Sequence, residues 1–326
     1  MNAIHHESDN GTSLLWSQVP TPTAGPGEVR IRVHATSVNR ADLMQRMGRY
    51  PPPPGASPIL GLEASGVIDQ VGDTVDEWQN GDAVCALLTG GGYAEYVVVP
   101  AQQVLPVPNG LTLVQAAALP EVYATAVLNL HFLANVTAGT RVLLHAGASG
   151  VGTASIQLCR EWEAETYITA GSQEKIDHCI SLGAVAGCNR HEQDFVAAVK
   201  EWTHGAGVDV ILDPVGAAYL KKNQGVLATD GCMISIGLLG GRQAELDMGR
   251  LLIKRQRIMG STLRSRSIQE KERIISYLRT DIWPLFERKR LQPIICATFP
   301  ITEADAAHTL VASNNTTGKV VLTISE

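Results

Sequence analysis

Polar and apolar residues alternate along Glu28, Val29, Arg30, Ile31, Arg32, Val33, His34 and Ala35, the two-residue period of a strand with one buried face. Residues 66–72 and 94–99 carry the same period. The run Pro51, Pro52, Pro53, Pro54, Gly55 excludes a helix there, because proline lacks an N–H and its ring fixes φ. These features predict an antiparallel β domain in the first part of the chain.

The pattern changes after Leu111. Residues 115–119 begin a helical pattern that Pro120 interrupts. Strands are then predicted at 141–145, 165–170, 208–213 and 233–236, with another just before Arg190, and helices at 153–162 and 194–202. Such alternation specifies a parallel sheet with helices on both faces. Residues 268–290 read as one long helix and residues 318–324 as a closing strand. There is no internal repeat and no low-complexity tract.

Length and composition narrow the class. A chain of 326 residues is too long for one ordinary core and suits two domains. Hydrophobic residues at 45% and charged residues at 18% describe a globular chain, not a disordered one. No apolar run reaches the roughly 18 residues of a membrane span. The start, Met1 to Asp9, is polar and acidic and unlike a signal peptide, so a cytoplasmic location is expected. A net charge of −6 offers no basic surface for nucleic acid or an anionic membrane. Six cysteines, Cys85, Cys159, Cys179, Cys188, Cys232 and Cys296, form no C-x-x-C pair. Reduced and mostly buried thiols are expected, not a zinc lobe or a disulfide framework.

The first chemical signal follows the strand ending at His145. There Gly147, Ala148, Ser149, Gly150, Val151 and Gly152 lead into a helix. A tight turn of this kind brings backbone N–H groups to a pyrophosphate, and the helix N-terminus adds partial positive charge. Gly147 permits the turn and Gly152 lets the helix pack closely on the sheet. Ser149 stands at the middle position of G-x-G-x-x-G, where glycine is usual, and Gly150 beside it restores close approach. The order strand, turn, helix, second strand is what distinguishes a dinucleotide site from an ordinary glycine-rich loop.

Residues 145–152 resemble the turn of quinone oxidoreductases in the medium-chain dehydrogenase/reductase superfamily. Residues 37–43, 48–50, 59–66 and 231–237 resemble the same family, so the likeness covers nearly the whole chain. Residues 170–173 and 263–266 are most similar to the subgroup of tumour-suppressor-inducible quinone oxidoreductases, relatives of zeta-crystallin. The resemblance implies an α/β protein with a GroES-like, β-rich catalytic domain and a doubly wound Rossmann domain. It places the catalytic domain at 1–122, the cofactor domain at 123–290 and a return to the catalytic domain at 291–326. It also implies a homodimer joined through the Rossmann sheets.

The tip of the second strand points to NADPH. An acidic residue there would bond the ribose 2′-hydroxyl of NAD and repel a 2′-phosphate. Here the strand ends Thr169, Ala170, Gly171, Ser172, with no acid. Ser172, Lys175 and Arg190 supply donors for a phosphate clamp, with Glu174 an unhelpful neighbour. The plain alternative is a helix cap and two solvated cations.

Zinc-binding members of the superfamily hold their metal with Cys and His. This chain has Asn39 at the first ligand position, Leu62 in place of the histidine before Glu63, and no Cys near Glu121. A catalytic zinc needs three protein ligands, so no metal is expected. His34, His131 and His145 are read as packing or surface residues. Without a Lewis acid, substrates that delocalise charge on accepting hydride, quinones and activated enones, are favoured. The resemblance sets Asn39 and Tyr50 beside the nicotinamide as donors; otherwise they cap a turn and pack on the proline loop. Asp42 fixes a helix start. Tyr123, Thr125, Gly216, Gly237, Leu238, Leu239, Thr262 and Leu263 complete the expected cofactor contacts. The reading is an NADPH-dependent quinone reductase acting on a small molecule. The rival from another class is a non-catalytic NADPH-binding protein, structural or RNA-binding, of the zeta-crystallin type.

Overall fold

The computed structural model describes residues 1–6 and 13–324, so the acidic positions 7–9 used in reading the amino terminus lie outside it. The chain forms two compact units, Met1–Ala124 with Leu263–Glu326, and Thr125–Thr262.

The first unit begins with β1 (Asn2–His6), β2 (Leu14–Gln18), β3 (Glu28–Val38), β4 (Glu63–Val71), β5 (Ala83–Leu87), β6 (Tyr96–Pro100) and β7 (Val104–Pro106). The second holds β8 (Arg141–Leu144), β9 (Glu165–Ala170), β10 (Ala186–Asn189), β11 (Val208–Asp213), β12 (Leu227–Ser235) and β13 (Arg257–Gly260). The chain then returns to the first unit with β14 (Ile295–Pro300) and β15 (Lys319–Thr323).

In the first unit a seven-stranded sheet runs β14-β15-β3-β4-β5-β7, with β6 also paired to β3. The alternation along β3 puts Val29, Ile31 and Val33 in the core, with Arg32 outside. The closing strand β15 pairs antiparallel with β3, Val320 opposite Val38 and Thr323 opposite Ala35. The sheet is not wholly antiparallel: β14 and β15 run parallel. A helix, Ala304–Ala312, carries the chain between them, as a parallel pair requires.

The second unit is a six-stranded sheet in the order β10-β9-β8-β11-β12-β13, every pair parallel. Counted from β8 this is 3-2-1-4-5-6, the doubly wound dinucleotide-binding order. Val142, Leu143 and Leu144 are almost wholly buried, as a central strand covered on both faces must be.

The boundary expected at residue 290 is corrected to 262. The helical stretch beyond it packs on the first unit. Lys271 Nζ donates to Thr89 Oγ1 (2.8 Å), Arg279 Nη2 to the Val104 carbonyl (2.8 Å) and Trp283 Nε1 to the Pro106 carbonyl (2.7 Å). A helical period shows that one face is buried but not which sheet it covers. The stretch is also not one α-helix: Ile268–Tyr277 passes through a π turn, Leu278–Ile282, into Trp283–Glu287. Pro284 lies in the first turn of the last piece and cannot donate the backbone hydrogen bond an uninterrupted helix needs.

Among the described residues one helical run, Leu113–Leu133, is long and apolar enough to cross a membrane by length and composition. Gln115, Glu121, Asn129 and His131 interrupt it, so it does not read as an apolar run. Of its most apolar window 72% is buried inside the protein, as in the core helix of a globular domain. Five of the six cysteines are buried; Cys296 is exposed.

Candidate functional site

In the second unit, β8 ends in a turn that leads into the helix Gly150–Glu161. Gly147 N donates to the Thr169 carbonyl (2.9 Å), which ties the turn to β9. Glycine is obligatory at two places. A Cβ on Gly147 would lie 2.7 Å from the Ile168 Cβ, and one on Gly152 2.4 Å from the Gly147 carbonyl oxygen. Ser149, the departure from the glycine pattern, is the helix N-cap: its Oγ accepts from Gly152 N (3.1 Å). The first-turn N–H groups, including those of Gly150 and Val151, have no carbonyl within the helix, which makes this end an anion site.

At the tip of β9, Ser172 Oγ accepts from Lys175 N (3.3 Å) and so starts the helix Gln173–Leu182. Lys175 is half-buried one turn in, and Glu174 is exposed. Arg190 crosses Gly171: a Cβ there would sit 3.4 Å from Arg190 Nη2 and 3.7 Å from His191 Nε2. Sequence reasoning missed His191; its place directly after Arg190 beyond the third strand was the available signal.

Past the carboxyl ends of β11 and β12, two loops clasp each other. Gly240 N donates to the Val215 carbonyl (2.7 Å), and Gly237 has no room for a Cβ against the Pro214 carbonyl (2.7 Å). Gly216 has φ +82°, and Asp213 holds its N–H at 3.0 Å. Burial pushes the Asp213 carboxyl up to about 6, against the two backbone N–H groups it accepts. Leu238 and Leu239 project beside these glycines and are exposed. In doubly wound sheets this end of the strands is where ligands bind.

The remaining expected cofactor residues divide. Thr125 is half-buried, and Thr262 is exposed. Leu263 is buried in the first unit. Tyr123 is 2% exposed and packs edge-on against Phe286 (5.0 Å).

In the first unit a buried polar cluster surrounds Glu63, which is 0% exposed. Ser37 Oγ donates to Glu63 Oε1, as do Asn39 Nδ2 (2.9 Å) and Lys319 Nζ (2.8 Å), and Glu121 N donates to Oε2 (3.0 Å). Lys319 Nζ also donates to Asn39 Oδ1 (2.6 Å). The Asn39 amide therefore serves this ion pair at the N-cap of the helix Arg40–Arg46. Asp42, three residues on, closes the same helix start from the other side, accepting from Asn39 N (2.7 Å) and from Gly61 N (2.9 Å). Burial pushes Asp42 up to about 6 despite these bonds.

Tyr50 lies next to the buried Arg264, whose guanidinium is 5.5 Å from the ring centroid. Arg264 Nε donates to the Thr89 carbonyl (2.8 Å), and its Nη2 is buried with no hydrogen-bond partner among the described residues. Burial, then the Glu121 charge, raises the Tyr50 phenol above its ordinary value, so it keeps its proton at neutral pH. Burial, then Glu63, raises the half-buried Glu121 to about 8. Lys319, Glu121, Arg264 and Lys271 were not expected in this cluster, because they are up to about two hundred residues apart in sequence and nothing local marks them. Of the three histidines, His145 is a buried packing residue between Thr169 Oγ1 (3.0 Å) and Asn223 Oδ1 (2.8 Å). Among the described residues no group of three or more His, Cys, Asp or Glu side chains is arranged to hold a metal ion.

Comparison with known proteins agrees with this architecture. Residues 25–109 match the alcohol dehydrogenase GroES-like domain, and residues 150–278 the zinc-binding dehydrogenase domain. The chain is 31% identical over 310 residues to a quinone oxidoreductase of Sus scrofa, covering 94% of this chain and 92% of that one. It is 30% identical over 334 residues to a 2-haloacrylate reductase of a Burkholderia species, covering 99% and 98%. It also matches the pikromycin polyketide synthase component PikAII of Streptomyces venezuelae at 34% identity, where it spans only 8% of that protein's length. Among solved structures, the Escherichia coli quinone oxidoreductase complexed with NADPH superposes with a TM-score of 0.88 at 25% identity, covering 99% of this chain and 100% of that one. With its two domain types, its parallel 3-2-1-4-5-6 sheet and full-length relatives at this identity, the chain belongs to the quinone oxidoreductase-like group of the medium-chain dehydrogenase/reductase superfamily.

Proposed function

We propose that the protein reduces quinones and activated enones with NADPH and uses no catalytic zinc. NADPH, when bound, supplies a hydride from its nicotinamide. The turn at Gly147–Ser149–Gly150–Val151–Gly152 holds the pyrophosphate, and Ser172, Lys175 and Arg190 hold the 2′-phosphate, with His191 close by.

The observation that carries the reading is the donor cluster of the first unit. The positions where zinc-dependent relatives place ligands hold an amide committed to Glu63 and Lys319 and a leucine, Leu62, that is 1% exposed. What the cluster does offer is hydrogen bonds. The Tyr50 hydroxyl is protonated and bonds no described protein group, and the Asn39 amide has a second N–H to donate. Such donors suffice for substrates that spread the incoming charge over a conjugated system. The reductase acting on 2-haloacrylate fits an activated double bond as acceptor, and the quinone oxidoreductases fit a quinone.

The test is NADPH consumption against a panel of ortho-quinones, para-quinones and enones, before and after chelator treatment. Turnover that survives chelation is expected. NADPH binding without turnover of any acceptor would favour the non-catalytic reading, and loss of activity with removal of a bound zinc would end the metal-free one. A homodimer is part of the same proposal. Strand β13 is a sheet edge, and Leu252 and Ile253 on the helix before it are 78% and 77% exposed. Sedimentation should give twice the chain mass, and Leu252→Glu with Ile253→Glu should give one.

A further inference from the structure

Reducing a quinone or an enone requires a proton as well as a hydride. We propose that Glu121 donates that proton to the substrate; the assignment rests on the reductase reading above.

The three carboxyls of the cluster are not equivalent. Both oxygens of Asp42 accept backbone N–H groups. Glu63 accepts from Ser37, Asn39, Lys319 and the Glu121 N–H, and is fully buried. Carboxylates saturated in this way hold no transferable proton and have no route to regain one. The Glu121 side chain differs on both counts. Among the described residues no donor bonds its oxygens. Pro120, Val122, Tyr123 and Ala124 around it are buried, whereas Glu121 is half-buried. Its backbone N–H on Glu63 ties the start of the helix Pro120–Ala126 to the cluster.

Glu121 also shares an electrostatic neighbourhood with the proposed donor. The charged and titratable groups facing it are Glu63 from β4, Lys319 from β15, Asp42 from Arg40–Arg46, Lys271 from Ile268–Tyr277, and Arg264 and Tyr50 from loops. Burial and Glu63 raise it to about 8, with Lys319 and Lys271 opposing, so at pH 7 it carries a proton. Tyr50, raised above its already high phenol value, orients a substrate oxygen well but releases a proton poorly. Lys271 is 3% exposed and donates to Thr89.

The step balances. The hydride of the reduced nicotinamide forms a bond at one end of the conjugated system. The electron pair displaced to the other end takes the proton from Glu121. The O–H electron pair stays on the carboxylate, which then takes up a proton that comes ultimately from solvent.

Two measurements test this. In cofactor-free protein with carboxyl-13C glutamate, the resonance absent from Glu121→Gln should titrate near pH 8; ionisation complete at pH 7 would overturn the assignment. In D2O, with NADPH and an α-substituted enone, the wild type should place deuterium on one face of the α-carbon. Glu121→Gln should lower kcat at pH 7 roughly 100-fold, scramble that face and abolish the decline in rate above about pH 8, whereas Glu121→Asp keeps the face. Melting curves confirm that the variants fold. Wild-type rate and single-face labelling in Glu121→Gln would refute the proposal while leaving the reductase reading intact. Wild-type inactivity on every acceptor would refute the reading on which the proposal stands.

Discussion

Replacing Lys319 by methionine tests whether the buried ion pair organises the donor cluster. The substitution keeps most of the apolar stem and removes the ammonium. Three contacts go with it: Glu63 Oε1 at 2.8 Å, Asn39 Oδ1 at 2.6 Å and the Val38 carbonyl at 3.3 Å. Lys319 is 5% exposed and Glu63 0%, so water cannot compensate. Removing one partner of a buried pair costs about 3–5 kcal/mol, because the other charge stays buried. Glu63 keeps three donors, from Ser37, Asn39 and the Glu121 backbone, which sets the expected loss at the lower end, about 3 kcal/mol. At about 2–4 °C per kcal/mol for a unit of this size, Tm should fall by about 6–12 °C. Urea unfolding should give the same loss from the midpoint at unchanged slope. Adding Glu63→Gln removes the stranded charge and should recover a large part of the stability. Since Lys319 orients the Asn39 amide, kcat/KM should fall in the single variant as well. A single variant within about 0.5 kcal/mol of wild type would show that the pair carries no such weight. So would a double variant whose loss is the plain sum of the two single losses.

Tyr50→Phe and Asn39→Ala should each lower kcat/KM for a quinone by roughly 5- to 150-fold, about 1–3 kcal/mol, with NADPH affinity nearly unchanged; wild-type kinetics in both would remove them from the site. Lys175→Ala with Arg190→Ala should erase a preference of roughly 10- to 1,000-fold for NADPH over NADH while sparing NADH; paired titrations decide it, and equal wild-type affinities for the two cofactors would refute the clamp. His145 is depressed by burial from 6.5 to about 4, so the native state holds it neutral while the unfolded chain takes up a proton below 6.5. The stability that neutrality represents is present above pH 6.5 and lost as pH falls toward 4, on the order of 3 kcal/mol. His145→Gln should flatten this part of the acid limb in denaturant titrations at fixed pH, and an unchanged slope would count against it.

Sequence periodicity determined much of this protein. Residues 28–35 and 208–213 declare their strands because side chains alternate across a strand and a covered strand is apolar throughout. The glycine turn was legible because Gly147 and Gly152 answer a local constraint: a Cβ at either would strike atoms that belong to the turn or to the strand beside it. The missing acid after β9 needed nothing beyond the end of one strand. What only the tertiary structure decided is everything that depends on surfaces meeting across the chain. The helical stretch after residue 267 shows a buried face in its period, yet Thr89, Val104 and Pro106 decide that it belongs to the first unit. Nothing near Tyr123 in the chain announces that Phe286 packs edge-on against its ring. Lys319, read only as part of a closing strand, becomes the counter-ion of Glu63 once β15 pairs with β3 and brings Val320 opposite Val38. Periodicity records which side of an element avoids water; it carries no record of the partner. Buried charges need specific partners within a few ångströms, and only the folded chain supplies them.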